Sequence, residues 1–359
     1  MENQEIKKHF LKFDGTGSEL LKLYLTNLLL TIATFGVYYF WAKVKVTKYL
    51  YRHTRFLDNR FDYHATGKER FIGFLKGMGF LLVFVGFLSL IGYLIYLQTG
   101  NAEMIFSFIP IVFYLLIFFL APLLIVGKER YRLSRSSWSN VRFRFDGKVK
   151  DAYWLFIKGG FLTAVTCYIY LPWFVIQLKK FFIENSKFGN QQFRFNGDPG
   201  KLFLYFLLSY AVYSAAMLGV FVVIMIASFV FKNEYVIAPL FVIAVIGLMF
   251  AGAWIQALLE RFYWAATSFQ EISFESHLTG WKIFKVIMLT FALIIFTLGI
   301  GFPWAVVLNV KLLTDNLSLN GDPDVAAILA SQDKDASALY DGISEAGEVI
   351  DSISDVFGM

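Results

Sequence analysis

Cysteine, histidine and charge are all scarce in this chain of 359 residues: one Cys, four His and only 17% charged residues. The lone Cys167 excludes an intramolecular disulfide framework and any Cys-rich metal site, and from its place inside an apolar segment a packing role is expected. His9, His53, His64 and His277 show none of the helical spacing of a metal-binding pair such as His-Glu-x-x-His. Gly15-Thr-Gly17 lacks the Lys-Ser/Thr of a phosphate loop, and there is no Gly-x-Ser-x-Gly elbow and no convincing carboxylate pair. Asn196-Gly-Asp-Pro199 reads as a turn before it reads as a cation site. The expectation is therefore a non-enzyme, with no catalytic residue, no cofactor and no metal.

The long apolar runs lack charge almost completely. Phe71–Leu97 holds only Lys76, and Met104–Val126, Leu202–Phe231 and Tyr235–Leu259 hold no Asp, Glu, His, Lys or Arg. Ion- and proton-coupled transporters place ionisable groups at depth, so this absence argues against such coupling. It leaves lipid handling or a passive path open.

What is abundant is apolar and aromatic. The chain is 57% hydrophobic and 19% aromatic, with 41 Phe, against about 45–50% apolar in an average soluble domain. Several runs exceed the roughly 20 residues that a spanning helix needs. The polar stretch Met1–Ser18 has no signal-peptide pattern, so the first apolar segment is expected to direct insertion. The net charge of +6 hides an asymmetry: from Asp322 onward nine Asp/Glu stand against one Lys, a net of −8 that leaves +14 on the remainder. Because Lys and Arg cluster beside apolar runs, they read as membrane-orienting charge and not as a nucleic-acid surface.

One stretch recurs. Thr34-Phe-Gly-Val-Tyr-Tyr-Phe-Trp41 returns as Thr166-Cys-Tyr-Ile-Tyr-Leu-Pro-Trp173 and as Thr297-Leu-Gly-Ile-Gly-Phe-Pro-Trp304. A shift of 132 residues places Phe13-Asp-Gly15 on Phe145-Asp-Gly147 and Phe61 on Phe193. A further shift of 131 places Glu129-Arg130 on Glu260-Arg261 and Phe143 on Phe274. These matches imply internal repeats of about 131 residues. Alternating aromatics predict strands over His9–Asp14, Arg60–Ala65, Asn140–Asp146, Gln192–Asn196, Glu271–Ser276 and Asn316–Asn320. The chain divides into a first repeat motif (1–70), a transmembrane hairpin (71–127), a second motif (128–201), a second hairpin (202–259), a partial third motif (260–323) and an acidic cytoplasmic tail (324–359).

Positive charge orients these pieces. Trp41–Arg70 and Lys128–Lys150 each hold eight Lys/Arg and Trp173–Lys201 holds five, whereas the turn Gln98–Glu103 holds none. The long pairs therefore cross and return, leaving both termini cytoplasmic. Glu19–Phe40 is basic on both flanks, so it and its two counterparts either re-enter with a break near Gly36, Tyr168 and Gly299, or cross against the charge rule. The basic aromatic stretch Ala42–Leu57 suits an interfacial helix.

Phe13-Asp-Gly-Thr-Gly-Ser-Glu19, Asn27-Leu-Leu-Leu-Thr31, Thr34 to Lys43, Arg60-Phe-Asp-Tyr63 and the tail's Ser354-Asp-Val-Phe-Gly358 together resemble the YjgN family of bacterial inner-membrane proteins, a family of unknown function. The resemblance implies a multi-pass protein of the bacterial inner membrane and supplies no catalytic residues.

The fold expected is an all-α polytopic membrane protein with internal repeats, a small cytoplasmic β layer, and Thr…Trp segments that are re-entrant or interfacial. Transport or lipid handling is the leading function. The alternative is a membrane scaffold that binds a partner through its cytoplasmic strands and acidic tail. A path or groove would be lined by Thr34, Gly36, Trp41, Thr166, Trp173, Thr297, Gly299 and Trp304. Lipid headgroups, anionic ones included, would meet Lys43, Lys45, Lys48, Arg52, Lys179 and Lys180. Partners other than membrane lipids, whether a second copy or another protein, stay unidentified, and nucleic acid is not expected.

Overall fold

A computed structural model of the chain describes residues 8–100, 102–231 and 234–321. Two short strands, β1 (Lys8–Phe10) and β2 (Lys12–Phe13), lead into a helix pair, α1 (Gly17–Ala33) and α2 (Tyr39–Arg52), and a strand pair, β3 (Thr54–Phe56) and β4 (Asn59–Tyr63). The order then continues with α3 (Gly67–Thr99), α4 (Ala102–Ser134), β5 (Ser136–Trp138) and β6 (Val141–Phe145). Next come α5 (Val149–Val165), α6 (Leu171–Glu184), β7 (Ser186–Phe188) and β8 (Gln191–Phe195). After α7 (Pro199–Phe231), α8 (Glu234–Ala265), β9 (Thr267–Phe269) and β10 (Ile272–Ser276), the described chain ends with α9 (Gly280–Phe296), α10 (Phe302–Thr314) and β11 (Leu317–Asn320).

The strands do not form a small layer on an all-α protein, and that expectation is corrected. Among the described residues they join in one antiparallel sheet of eleven strands in the order β1-β11-β10-β9-β8-β7-β6-β5-β4-β3-β2. Its two end strands, β1 and β2, are neighbours in the chain, separated only by Leu11. β1 pairs with β11, Phe10 opposite Ser318, and β2 pairs with β3, Lys12 opposite Arg55. The N-terminal segment thus closes the sheet into a near-complete ring, which leaves little unpaired edge. The misreading has a physical cause. Strands of two to five residues carry little periodic signal, and β3, β5, β7 and β9 were hidden behind the helices that precede them.

Each helix packs on its chain neighbours, and α10 packs on α1, so the ten helices among the described residues also close into a ring. Among the described residues, α3, α4, α7 and α8 provide four stretches long and apolar enough to cross a membrane: Gly67–Thr99, Phe108–Ser134, Pro199–Phe229 and Pro239–Ala265. Only 6–17% of their most apolar windows is buried. Apolar surface in that amount, left uncovered by protein, is stable only in lipid; the protein is an integral membrane protein. At the base of α3 a reciprocal cap starts the helix: the Thr66 hydroxyl accepts from the Glu69 N–H and the Glu69 carboxylate accepts from the Thr66 N–H.

The Thr…Trp stretch is a helix–turn–helix. Phe35 and Gly36 take left-handed backbone (φ 50° and 91°), as do Cys167 and Tyr168, and Leu298 and Gly299. This reverses the chain between α1 and α2, between α5 and α6, and between α9 and α10. Glu19–Phe40 is therefore not one continuous helix. α1 leaves the sheet and α2 returns to it, with Asn27 Nδ2 donating to the Ala42 carbonyl between them. The acidic tail lies outside the described residues.

Candidate functional site

The site is built from the inward faces of the sheet. Along a strand, alternate residues share a face, and each hairpin sends its Phe or Trp inward. Phe56, Trp138, Phe188 and Phe269 follow one another with ring centroids 5.4, 5.8 and 6.1 Å apart, and Leu319 completes the set. All five are buried. Opposite them across the strand seams stand Phe61 on Trp138, Phe143 on Phe188, Phe193 on Phe269 and Phe274 on Leu319. The three aromatic pairs among these contribute roughly 0.5–1.5 kcal/mol each beyond their buried area. Trp138 also donates its indole N–H to the Asn59 carbonyl at 3.3 Å. The result is an aromatic floor across the ring of strands.

Above this floor lies a chamber of about 840 Å³. Its lower wall is the half-buried row Leu11, Phe61, Phe143, Phe193 and Phe274. Its upper wall comes from the ends of α4, α6 and α8, through residues such as Leu133, Val175, Phe182 and Trp264. A smaller adjoining cavity of about 410 Å³ is lined by Leu50 of α2 and Val310 of α10. Every helical residue lining either space belongs to an even-numbered helix. The inner wall is thus made by the helices that run back toward the sheet.

Three charges enter the chamber from one structural position. Glu129, Lys179 and Glu260 each stand seven residues before the first strand of the following hairpin, which begins at Ser136, Ser186 and Thr267. Glu129 is held by Arg132 at 2.7 Å, one turn along α4. Lys179 Nζ lies 4.7 Å from the centre of the Tyr263 ring, a cation–π contact. Glu260, one helical turn before Tyr263, shares with Lys179 neither an ion pair nor a hydrogen bond among the described residues. The chamber is therefore apolar and aromatic over most of its surface, with two separated opposite charges near its top.

The residues expected to line a path sit elsewhere. Thr34 donates to the Leu30 carbonyl at 2.8 Å and accepts from the Tyr38 N–H at 2.9 Å; Thr166 treats Leu162 and Tyr170 the same way, and Thr297 treats Leu293 and Gly301. Each Thr staples a turn at the far tip of its helix pair. Gly36 and Gly299 provide the left-handed backbone beside it. Trp41 and Trp304 cover Gly67 and Gly17, where an added Cβ would come within 2.4 and 2.3 Å of the indole, and Trp173 packs at a tilt against Phe203, centroids 5.3 Å apart. None of the eight lines the chamber.

Of the basic residues, Lys179 does line it. Lys180 pairs with Glu184 at 3.9 Å and Arg52 with Asp62 at 3.0 Å. Lys45 reaches Tyr38, and Lys43 and Lys48 lie on α2 with it. Glu129 and Glu260 were legible as equivalent positions, but only closure of the sheet reveals that they face one space. At Asn196–Pro199, Asp198 Oδ1 accepts from the Gly200 N–H at 2.8 Å, a turn contact.

The chain matches the model of a family described as "Bacterial protein of unknown function (DUF898)" over residues 8–346. Inner membrane protein YjgN of Escherichia coli O157:H7 is 32% identical over 164 residues, covering 45% of this chain and 37% of that protein. YjgN of Escherichia coli K12 is 30% identical over 161 residues, and that of Salmonella typhimurium 31% over 163, again covering 45% of this chain and 37% and 38% of theirs. The alignments thus take in less than two-fifths of each relative. No solved structure matches. The match over residues 8–346 shows that the chain belongs to the DUF898 family, as a YjgN-related bacterial membrane protein of unknown function.

Proposed function

We propose that this protein handles lipid: its chamber takes up part of an amphiphile whose chains lie within the ring of helices. The observation that carries this reading is the position of the chamber. A large apolar space stands where the even-numbered helices meet the aromatic floor. Beside Glu129, Arg132, Lys179 and Glu260, these helices line it with apolar and aromatic side chains such as Leu133, Val175, Phe182 and Trp264.

Helix length supports a membrane setting for the site. From Lys76 to the end of α3, 23 residues rise about 35 Å, enough for a hydrocarbon core of about 30 Å. From Lys22 to the end of α1, 11 residues rise only about 17 Å. The short pairs would then reach mid-membrane and turn back, their tips Phe35, Phe296 and Leu298 (98, 86 and 93% exposed) lying in lipid. The sheet and its many Lys and Arg would face the cytoplasm.

Native mass spectrometry tests the reading. Protein washed in detergent should retain bound lipid, and Ser186→Trp, which fills the chamber wall, should retain markedly less while eluting normally. Protein that carries no lipid, or a variant that carries as much as the parent, would refute it.

A further inference from the structure

The two unmatched charges at the top of the chamber point to the chemistry of the ligand. We infer that the preferred ligand is a phospholipid whose headgroup carries both an amine and a phosphate, with Glu260 receiving the amine and Lys179 the phosphate. This rests on the lipid-handling reading and narrows it to one class of headgroup.

Glu129 is neutralised within its own helix by Arg132 at 2.7 Å. That leaves one acid and one base on the shared level. Both flank Tyr263: Lys179 lies over its ring, and Glu260 precedes it by one turn on α8. Two opposite charges that frame the same ring without closing on each other suit a dipolar guest, which satisfies both at once.

A purely anionic head would meet Lys179 and be repelled by Glu260. A neutral diacylglycerol would offer a partner to neither the partly buried Glu260 nor the exposed Lys179. The aromatic wall adds a further preference. Phe193, Phe274 and Trp264 stand close together, with centroids 6.4 Å apart for Phe193–Phe274 and 5.7 Å for Trp264–Phe274. Their ring faces attract an ammonium group and offer nothing comparable to a phosphate or glycerol hydroxyl. The amine therefore settles on Glu260 on the side of these rings, with the phosphate beside it at Lys179 on the same level, and the acyl chains rise along the even-numbered helices.

The test uses the full chain in nanodiscs of equal parts phosphatidylethanolamine and phosphatidylglycerol, with native mass spectrometry of the lipid that survives transfer to detergent. The parent protein should enrich phosphatidylethanolamine over phosphatidylglycerol about tenfold, the effect of one charge-assisted contact. Glu260→Gln should still bind lipid but lose that enrichment, and Glu260→Asp, which keeps the charge, should retain most of it. Lys179→Gln should weaken retention of both lipids. Retained lipid that mirrors the bulk mixture, or an enrichment unchanged in Glu260→Gln, would overturn the headgroup assignment and leave the lipid-handling reading standing. Absence of retained lipid in the parent would overturn both.

Discussion

The three turn threonines do more for the fold than a hydroxyl usually does. Each bridges two backbone groups at a helix end; the carbonyl also accepts from the threonine's own N–H, so the hydroxyl matters most to the N–H of Tyr38, Tyr170 or Gly301. Replacing Thr34 by Val keeps the shape and removes both bonds. We expect a loss of about 1–2 kcal/mol, in the range of a lost helix cap, read as a lower midpoint in thermal unfolding, and the same for Thr297→Val. Tyr168 occupies the left-handed position that Gly36 and Gly299 fill in the other two turns. Tyr168→Gly should relieve roughly 1 kcal/mol of backbone cost, seen as a midpoint no lower than the parent's. His64, just past β4, bonds the Ser137 hydroxyl at 2.8 Å. Burial pushes its imidazole below the ordinary histidine range, and Arg142, Lys48 and Arg52 add to this against the opposing pull of Asp62. A lowered native value means that the unfolded chain takes up the proton first. The stability tied to His64 is then present above about pH 6.5, the ordinary value, and is lost as pH falls through the lower native one. The unfolding midpoint should drop between pH 7.5 and 5.5, and His64→Asn should flatten that slope.

At the scale of elements, close contact between indole and glycine sets where consecutive helix pairs meet. Gly67 leaves no room for a methyl beneath Trp41, whereas Gly79, farther along the same helix, has nothing within 4 Å of such a methyl. Gly67→Ala should destabilise the protein by about 1–3 kcal/mol, as overpacking does, while Gly79→Ala should be neutral or slightly stabilising. Comparing the two midpoints separates packing from helix propensity. The elements were unevenly legible in the sequence. The four long helices stand out because tens of consecutive apolar residues have few other uses. The turns announce themselves through Gly36, Gly299 and the threonines. The strands at Asn140–Asp146 and Glu271–Ser276 show through alternating aromatics. By contrast β5, Ser136–Trp138, presents one aromatic and two serines, and nothing local marks it as a strand. It exists because Trp138 has Phe61 across the seam and Phe188 beside it, partners 77 and 50 residues away.

For the whole molecule, closure is what local sequence conceals. The chamber requires that Leu11, near the start of the described chain, stand beside Leu317 and Leu319 at its end, and no periodicity within either segment says so. Closure is testable through the pairing of β1 with β11. In a variant lacking Cys167, Phe10→Cys and Ser318→Cys should form a disulfide on mild oxidation, since directly paired antiparallel residues lie within bridging distance. A sheet left open at this seam would give no cross-link. The acid and base of the chamber belong to this scale too: Lys179 and Glu260 lie on α6 and α8, and the ring of strands beneath brings both to one space. The claim on which the account turns is that lipid enters the chamber. The most direct measurement places the photoreactive p-benzoylphenylalanine at Phe193, inside, and in a second variant at Phe221, on the exposed face of α7, irradiates intact membranes, and weighs the adducts. The account predicts phospholipid adducts at both positions, with the one at Phe193 alone abolished by Ser186→Trp. Phospholipid on Phe221 and none on Phe193 would contradict it.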